Sequence, residues 1–305
     1  MSTIPTIVPF SADAARLPMT LTRLQEKKRL GEPIVMVTAY DYPSALAAEA
    51  AGVDVVLVGD SGAMTVLGHD CTVGVTLDEL LVLARAARRG LKMPLLVGDL
   101  PFGSYEVSDE QAVATALRFV KEAGCGAVKL EGGGETSVHR ARAIVNAGIP
   151  VMGHVGLTPQ TATALGGYKA QGRSAQAALR IAGEALALQD AGCFSIVFEA
   201  IPSAVTEAIM PRMQVPVIGI GAGPAADGQV LVFHDLLGIR EGQGAKFVRR
   251  YADLLDEMVA GVSAYAQDVR TARYPGPEHG YSIDADELAA FAAQWPGVKE
   301  PTPPS

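Results

Sequence analysis

Between residues 34 and 238 the chain alternates short runs of Val, Ile and Leu with longer alanine- and charge-rich stretches, eight times over. Apolar runs of this kind suit strands buried on both faces, and each such strand needs a covering helix, so the pattern is that of repeated βα units. The strand candidates are Ile34–Tyr40, Asp54–Asp60, Pro94–Leu100, Ala127–Gly132, Pro150–Gly156, Phe194–Ala200, Pro216–Gly223 and Leu231–Gly238. Helical patterns fall at about 43–51, 76–89, 108–122, 135–147, 174–190, 203–210 and 246–270. Thr76-Leu-Asp-Glu and Ser108-Asp-Glu-Gln each join a capping hydroxyl to first-turn acids, as a helix start requires. Eight units predict a closed (β/α)8 barrel. The connection Pro224–Val230 is too short for a full helix, and it leaves an open doubly wound sheet as the alternative.

Residues 20–31 form an amphipathic pattern ahead of the first strand, placed to close the barrel bottom. We expect one catalytic barrel over 20–280, a loose tail over 1–19 and a C-terminal extension over 281–305, proline-rich from Pro296. The net charge of −8 leaves no basic surplus for a nucleic-acid backbone. No apolar run approaches the roughly 20 residues of a membrane span. The start lacks the basic and apolar stretches of a secretory signal. Cys71, Cys125 and Cys193 are too scattered for a disulfide framework or a structural zinc site. A cytoplasmic enzyme is the expectation.

In parallel α/β folds the chemistry sits at the carboxyl ends of the strands. Here those ends read Val-Gly-Asp60-Ser61, Val-Gly-Asp99, Lys129-Leu-Glu131, Gly-His154, Phe-Glu199 and Gly221-Ala-Gly223. By strand alternation Asp60 shares a face with Val56 and Val58, Asp99 with Leu95 and Val97, and Glu131 with Lys129. If those faces line the barrel, three carboxylates converge at one mouth above an ammonium. Unit charges ~4 Å apart repel by about 4 kcal/mol at an effective dielectric near 20, so the trio needs a cation or a proton. An all-oxygen set with open positions suits Mg²⁺. The competing reading is that each acid separately caps a helix or pairs with an arginine.

Glu199, in an apolar Ile-Val-Phe-Glu-Ala context away from the trio, is a candidate general base, or else a capping or salt-bridged glutamate. Lys129 reads as a fixed countercharge rather than a Schiff-base amine, because nearby acids favour its charged form. His154 is either a substrate contact or a satisfied core histidine. His69-Asp70 and His234-Asp235 read as structural pairs on a loop and a strand. Ser61 has no adjacent histidine base and reads as a hydrogen-bond donor. Gly219-Ile-Gly221-Ala-Gly223-Pro224 is not a dinucleotide loop, since Pro224 stands at the third glycine position. Its glycines fit close backbone approach in the site.

Several long motifs then occur in one order. They include Met36-Val-Thr-Ala-Tyr-Asp41-Tyr-Pro-Ser-Ala, Val58-Gly-Asp60-Ser61, Asp99-Leu-Pro-Phe-Gly-Ser-Tyr105 and Val128-Lys-Leu-Glu-Gly-Gly133. Gly153-His-Val-Gly-Leu-Thr-Pro-Gln160, Gly166-Gly-Tyr-Lys-Ala-Gln-Gly-Arg173 and Pro216-Val-Ile-Gly-Ile-Gly-Ala-Gly223 continue the series. From about residue 20 to about 280 the chain resembles the ketopantoate hydroxymethyltransferase family. The resemblance implies a (β/α)8 barrel of the phosphoenolpyruvate/pyruvate type, with one Mg²⁺ per subunit on Asp60, Asp99 and Glu131. It implies that Asp60, Ser61, Asp99 and Lys129 contact the substrate and that Glu199 accepts a proton. The implied reaction moves a hydroxymethyl group from 5,10-methylenetetrahydrofolate to 3-methyl-2-oxobutanoate through a Mg-stabilised enolate, giving 2-dehydropantoate for pantothenate synthesis. The family assembles as homo-oligomers, commonly decamers. Gly62-Ala63-Met64 departs from the family's usual Leu-Gly-Met. The competing functions are a Mg-dependent carbon–carbon lyase acting on an oxoacid, and an inactive barrel that only binds metal or ligand.

Overall fold

The computed structural model describes residues 17–242 and 244–295. The expected loose N-terminal tail lies, apart from Leu17–Met19, outside the described residues, as does the proline-rich end from Pro296, whereas residues 281–295 of the expected C-terminal extension are described. The chain runs α1 (Leu21–Leu30), β1 (Ile34–Thr38), α2 (Tyr42–Ala51), β2 (Val55–Val58), α3 (Gly62–Thr65), α4 (Leu77–Gly90) and β3 (Leu95–Asp99). It continues through α5 (Asp109–Ala123), β4 (Ala127–Lys129), α6 (Glu135–Asn146), β5 (Val151–Gly156), α7 (Ala175–Asp190), β6 (Ser195–Glu199) and α8 (Ser203–Ile209). β7 (Val217–Ile220), β8 (Gly228–Leu231), α9 (Phe233–Leu237), α10 (Leu254–Arg270) and α11 (Ala285–Gln294) follow. All eight strands pair in parallel in chain order, and β8 returns to β1, with Ile34 beside Gly228, to close the barrel.

The helix starts follow the expected chemistry. Thr76 and Glu79 form a reciprocal capping box on α4, and Ser108 Oγ accepts the Gln111 N–H at 3.1 Å at the head of α5. Two apolar layers result. One fills the barrel with Met36, Val55, Leu57, Val97, Met152, Val197 and Ile218, and Leu24 of α1 plugs its lower end. The other packs Val56, Val58, Leu96, Val128 and Ile196 against the surrounding helices. α1 is tied down by Lys27 to Asp54 at 3.1 Å and Lys28 to Asp227 at 2.8 Å. Met19 donates its N–H to Met93 O at 2.7 Å, so the chain is already docked there.

The short β7–β8 connection does not open the sheet. Seven residues span about 25 Å when extended, whereas the return along a four-residue strand needs only about 13 Å. Asp227 anchors the far end: its carboxylate accepts the Val217 N–H at 2.8 Å, and its carbonyl accepts the Ile34 N–H at 2.9 Å. A Cβ at Gly228 would stand 2.4 Å from Ile34 O, so only glycine lets β8 meet β1. The eighth strand is thus Gly228–Leu231, not Leu231–Gly238. Most of the expected strand is α9, which ends on Gly238 in the left-handed region (φ 66°). His234-Asp235 accordingly lies on a helix, where Asp235 Oδ1 accepts from Arg240 Nη1 at 2.6 Å.

The chain divides into two compact units, one ending at Asp253 and one starting at Leu254. The barrel lies wholly in the first. The second contains α10 and α11, with the Tyr265 ring of α10 5.5 Å from the Tyr274 ring in the segment that follows it. Among the described residues no helix is long and apolar enough to cross a membrane.

Candidate active site

The acids at the strand ends meet at the carboxyl mouth of the barrel. Asp99 ends β3, Glu131 follows β4 by two residues, and Asp60 lies in the turn between β2 and α3. One ligand oxygen from each lies within 4.8 Å of the others, and all three residues are buried. Asp99 and Glu131 arrive as alternation requires, on the inward faces of Leu95 and Val97 and of Lys129. Asp60 does not. Val56 and Val58 face the helices, and Val55 and Leu57 face the barrel. Asp60 reaches the site because β2 stops at Val58 and the chain turns inward through Gly59, so strand alternation no longer governs it. The Asp60 N–H then donates to Asp99 Oδ2 at 3.0 Å.

Lys129 lies among the acids, with Nζ 2.8 Å from Asp99 Oδ1 and 3.5 Å from Glu131 Oε1. A carboxylate oxygen carries two lone pairs, so Asp99 Oδ1 can meet the ammonium and still serve another ligand. His154 joins the two groups that looked separate in the sequence. Its Nδ1 is 3.4 Å from Glu131 Oε1, and its Nε2 is 3.3 Å from Glu199 Oε2. Glu199 is thus linked to the trio through one imidazole. Its position is held from the backbone: Leu157 donates its N–H to Glu199 O at 2.9 Å, and the following Ala200 adopts φ 48°.

Two residues that close motifs quoted above, but to which the sequence assigned no role, complete the frame. Gln160 donates its backbone N–H to Glu131 Oε2 at 3.0 Å and its side-chain amide to Asp60 Oδ2 at 3.1 Å. Tyr105 Oη donates to Gln160 Oε1 at 2.7 Å and accepts the Glu131 N–H at 3.3 Å. Tyr105 sits in a loop and Gln160 in a single 3-10 turn, Pro159–Thr161, too short for any periodicity to mark a buried position; the way Gln160 meets acids that follow two other strands exists only in space. Ser61 precedes the short α3 without a side-chain capping bond, and its Oγ instead lies 2.7 Å from Tyr40 Oη. At Gly62 a Cβ would stand 2.7 Å from the Tyr40 ring, so the departure from the family pattern fits the tyrosine beneath it.

The electrostatics describe an excess of buried negative charge. Burial, then repulsion from Asp99 and Glu131, raises the Asp60 carboxyl well above its ordinary value. Burial raises Asp99 as well, against the pull of Lys129. Burial also pushes Glu131 upward, but Lys129 and His154 outweigh it and hold the group low. Burial and Lys129 push His154 down, yet its bonds to Glu131 and Glu199 prevail and lift it to about 9. Burial works against the Lys129 charge, and the three acids more than restore it. Were the trio fully ionised, its three charges would outnumber the neighbouring Lys129 ammonium, which is the imbalance that, with burial, lifts Asp60 and Asp99 in this oxygen-lined site. That donor set and charge fit a hard divalent cation. The enclosed space, about 220 Å³, is floored by Leu57, Val197, Ile220 and Val230.

The model of the ketopantoate hydroxymethyltransferase family matches residues 18–277. The chain belongs to that family. It is 51% identical over 282 residues to 3-methyl-2-oxobutanoate hydroxymethyltransferase 1, mitochondrial, of Arabidopsis thaliana, covering 90% of this chain and 81% of that one. It is 51% identical over 268 residues to 3-methyl-2-oxobutanoate hydroxymethyltransferase of Moorella thermoacetica, covering 88% and 99%. This family member is therefore an enzyme of the hydroxymethyltransferase class. Among solved structures it is similar to a phosphonopyruvate hydrolase (TM-score 0.57, 13% identity, 90% and 95% covered). It is also similar to 2,3-dimethylmalate lyase of the PEP mutase/isocitrate lyase superfamily (TM-score 0.54, 16% identity, 90% and 98% covered). Those likenesses are to the barrel fold.

Proposed function

We propose that the chain transfers a hydroxymethyl group from 5,10-methylenetetrahydrofolate to 3-methyl-2-oxobutanoate, giving 2-dehydropantoate, a step of pantothenate synthesis. The observation that carries this reading is the buried trio Asp60, Asp99 and Glu131 facing a fourth acid, Glu199, across His154. Asp60, Asp99 and Glu131 would hold one Mg²⁺. Bound there, the ion supplies a Lewis acid for the negative charge that develops on the keto oxygen, worth several kcal/mol.

The remaining work falls to the chain. Asp60, Ser61, Asp99 and Lys129 orient the oxoacid, and its branched end rests on the apolar floor. Glu199 takes the proton from C3, held by His154 on one side and by its own backbone on the other. The methylene carbon starts on two folate nitrogens: the electron pair left at C3 replaces one and a water oxygen replaces the other, so both C–N bonds break. The two nitrogens take up the proton that Glu199 received and one proton of the water. The same reading carries a cytoplasmic homo-oligomer, a decamer by family resemblance.

Exchange of the C3 proton of 3-methyl-2-oxobutanoate in deuterated water with Mg²⁺ tests the reading without folate. Glu199→Gln should keep oxoacid binding and slow exchange by about 10²–10⁴-fold. A protein that never exchanges C3 with Mg²⁺ present refutes the proposed chemistry.

A further inference from the structure

The space of about 220 Å³ beside the carboxylate trio is large enough for an ion and a five-carbon acid but has no room for a folate. A second cavity, of about 860 Å³, adjoins it, and the two share Tyr168, Glu199 and Phe247 in their walls. Its size matches sites that enclose a cofactor-sized molecule.

The walls of this second cavity differ from the first in charge. Lys169, Arg173 and Lys246 line it, and Glu199 at the shared wall is its one acid. Among the described residues none of these three cations forms an ion pair, in a chain whose net charge is −8. Uncompensated cations converging on one concavity mark a place for an anion. The Tyr168 and Phe247 rings border the same space and offer flat faces. Gly221 (φ 64°) and Gly223 (φ 85°) bring backbone to its floor: a Cβ would stand 2.5 Å from Phe247 at the first and 2.3 Å from Ser203 Oγ at the second. These are the glycines whose sequence pattern excluded a dinucleotide loop.

We infer that this cavity binds the one-carbon donor, with a flat reduced heterocycle beside Tyr168 and Phe247 at the Glu199 end and an anionic carboxylate tail on Lys169, Arg173 and Lys246. The inference rests on the proposed function, since it assigns a seat to that reaction's donor. The arrangement sets the carbon to be transferred at the wall common to both cavities, next to the group that takes the C3 proton. It also explains why the basic residues lie away from the metal: the tail charge is recognised where no carboxylate competes for it.

Tetrahydrofolate binding to the Mg²⁺-loaded protein, followed by calorimetry, tests the assignment. Solvent-exposed charge pairs of this kind are worth about two- to fivefold in affinity each. Lys169→Ala, Arg173→Ala and Lys246→Ala together should therefore weaken tetrahydrofolate by about ten- to a hundredfold, raise KM for the methylene donor in step, and flatten the salt dependence of binding. The charge-keeping triple Lys169→Arg, Arg173→Lys, Lys246→Arg should stay within a few-fold of the original, which separates lost charge from lost folding. Unchanged affinity in the alanine triple, or equal loss in both triples, overturns the assignment. C3 exchange without folate is read in parallel. Its absence in the unmodified protein refutes the reaction instead, while tetrahydrofolate binding still decides the cavity.

Discussion

Lys129→Met removes the ammonium that lies among the acids while keeping a side chain of similar length. At 2.8 Å from Asp99 and an effective dielectric near 20, the ammonium's attraction is about 6 kcal/mol before the cost of burying both charges. Removing one partner of such a buried pair costs about 3–5 kcal/mol, because the other charge remains uncompensated. For a barrel of this size that corresponds to a fall in Tm of about 6–20 °C. Mg²⁺ on the same carboxylates supplies the missing positive charge, so the fall should be large in EDTA and at least halved in saturating MgCl₂. The pH dependence has a definite sign. Asp60 and Asp99 have raised values in the folded state, so folding takes up protons above the ordinary carboxylate value of about 3.9, and stability is lost as pH rises through that window. Without Lys129 that loss should steepen in EDTA. Thermal unfolding of both proteins, with and without Mg²⁺ and between pH 5 and 8, measures each of these effects. Equal destabilisation in EDTA and in Mg²⁺, with no change in pH slope, would refute the reasoning that charge balance governs the site.

Asp99→Asn keeps the shape of the trio and removes one charge; metal affinity measured with Mn²⁺ by electron paramagnetic resonance should drop, and an unaltered titration takes Asp99 out of the ligand set. Gln160→Met strips Asp60 and Tyr105 of a buried partner, which should cost roughly 1–3 kcal/mol and weaken the metal by about 10–100-fold. Denaturant unfolding and calorimetric metal titration would expose the error if both stay unchanged. Gly156→Ala forces a side chain onto φ 99° with Cβ 2.2 Å from Glu199 O. We expect a loss of roughly 2–4 kcal/mol together with impaired C3 exchange, and wild-type stability in urea would contradict it.

The barrel and most of its acids were legible because their signals are local. Asp99, Glu131 and Glu199 stand at strand ends, where a period of two and the polarity switch mark both position and facing. Asp60 was found for an incomplete reason, since its inward direction comes from the turn after Val58 and not from the strand. The β8 boundary was misplaced because Leu-Val-Phe-His-Asp-Leu-Leu carries equal apolar content as strand or helix. Only the contact of Gly228 with Ile34 O decides which part pairs.

What the chain determined alone was therefore its repeating unit, its count of eight strands and the residue types at the mouth. These depend on each residue's own propensity and on neighbours a few positions away. The tertiary structure decided the rest. It placed His154 between Glu131 and Glu199, seated Gln160 and Tyr105 behind the carboxylates, set Lys129 among them and opened a basic cavity beside Glu199. Those relations join different strands and loops. Coulomb and hydrogen-bond energies depend on distance in space, which the order of residues along a chain does not specify.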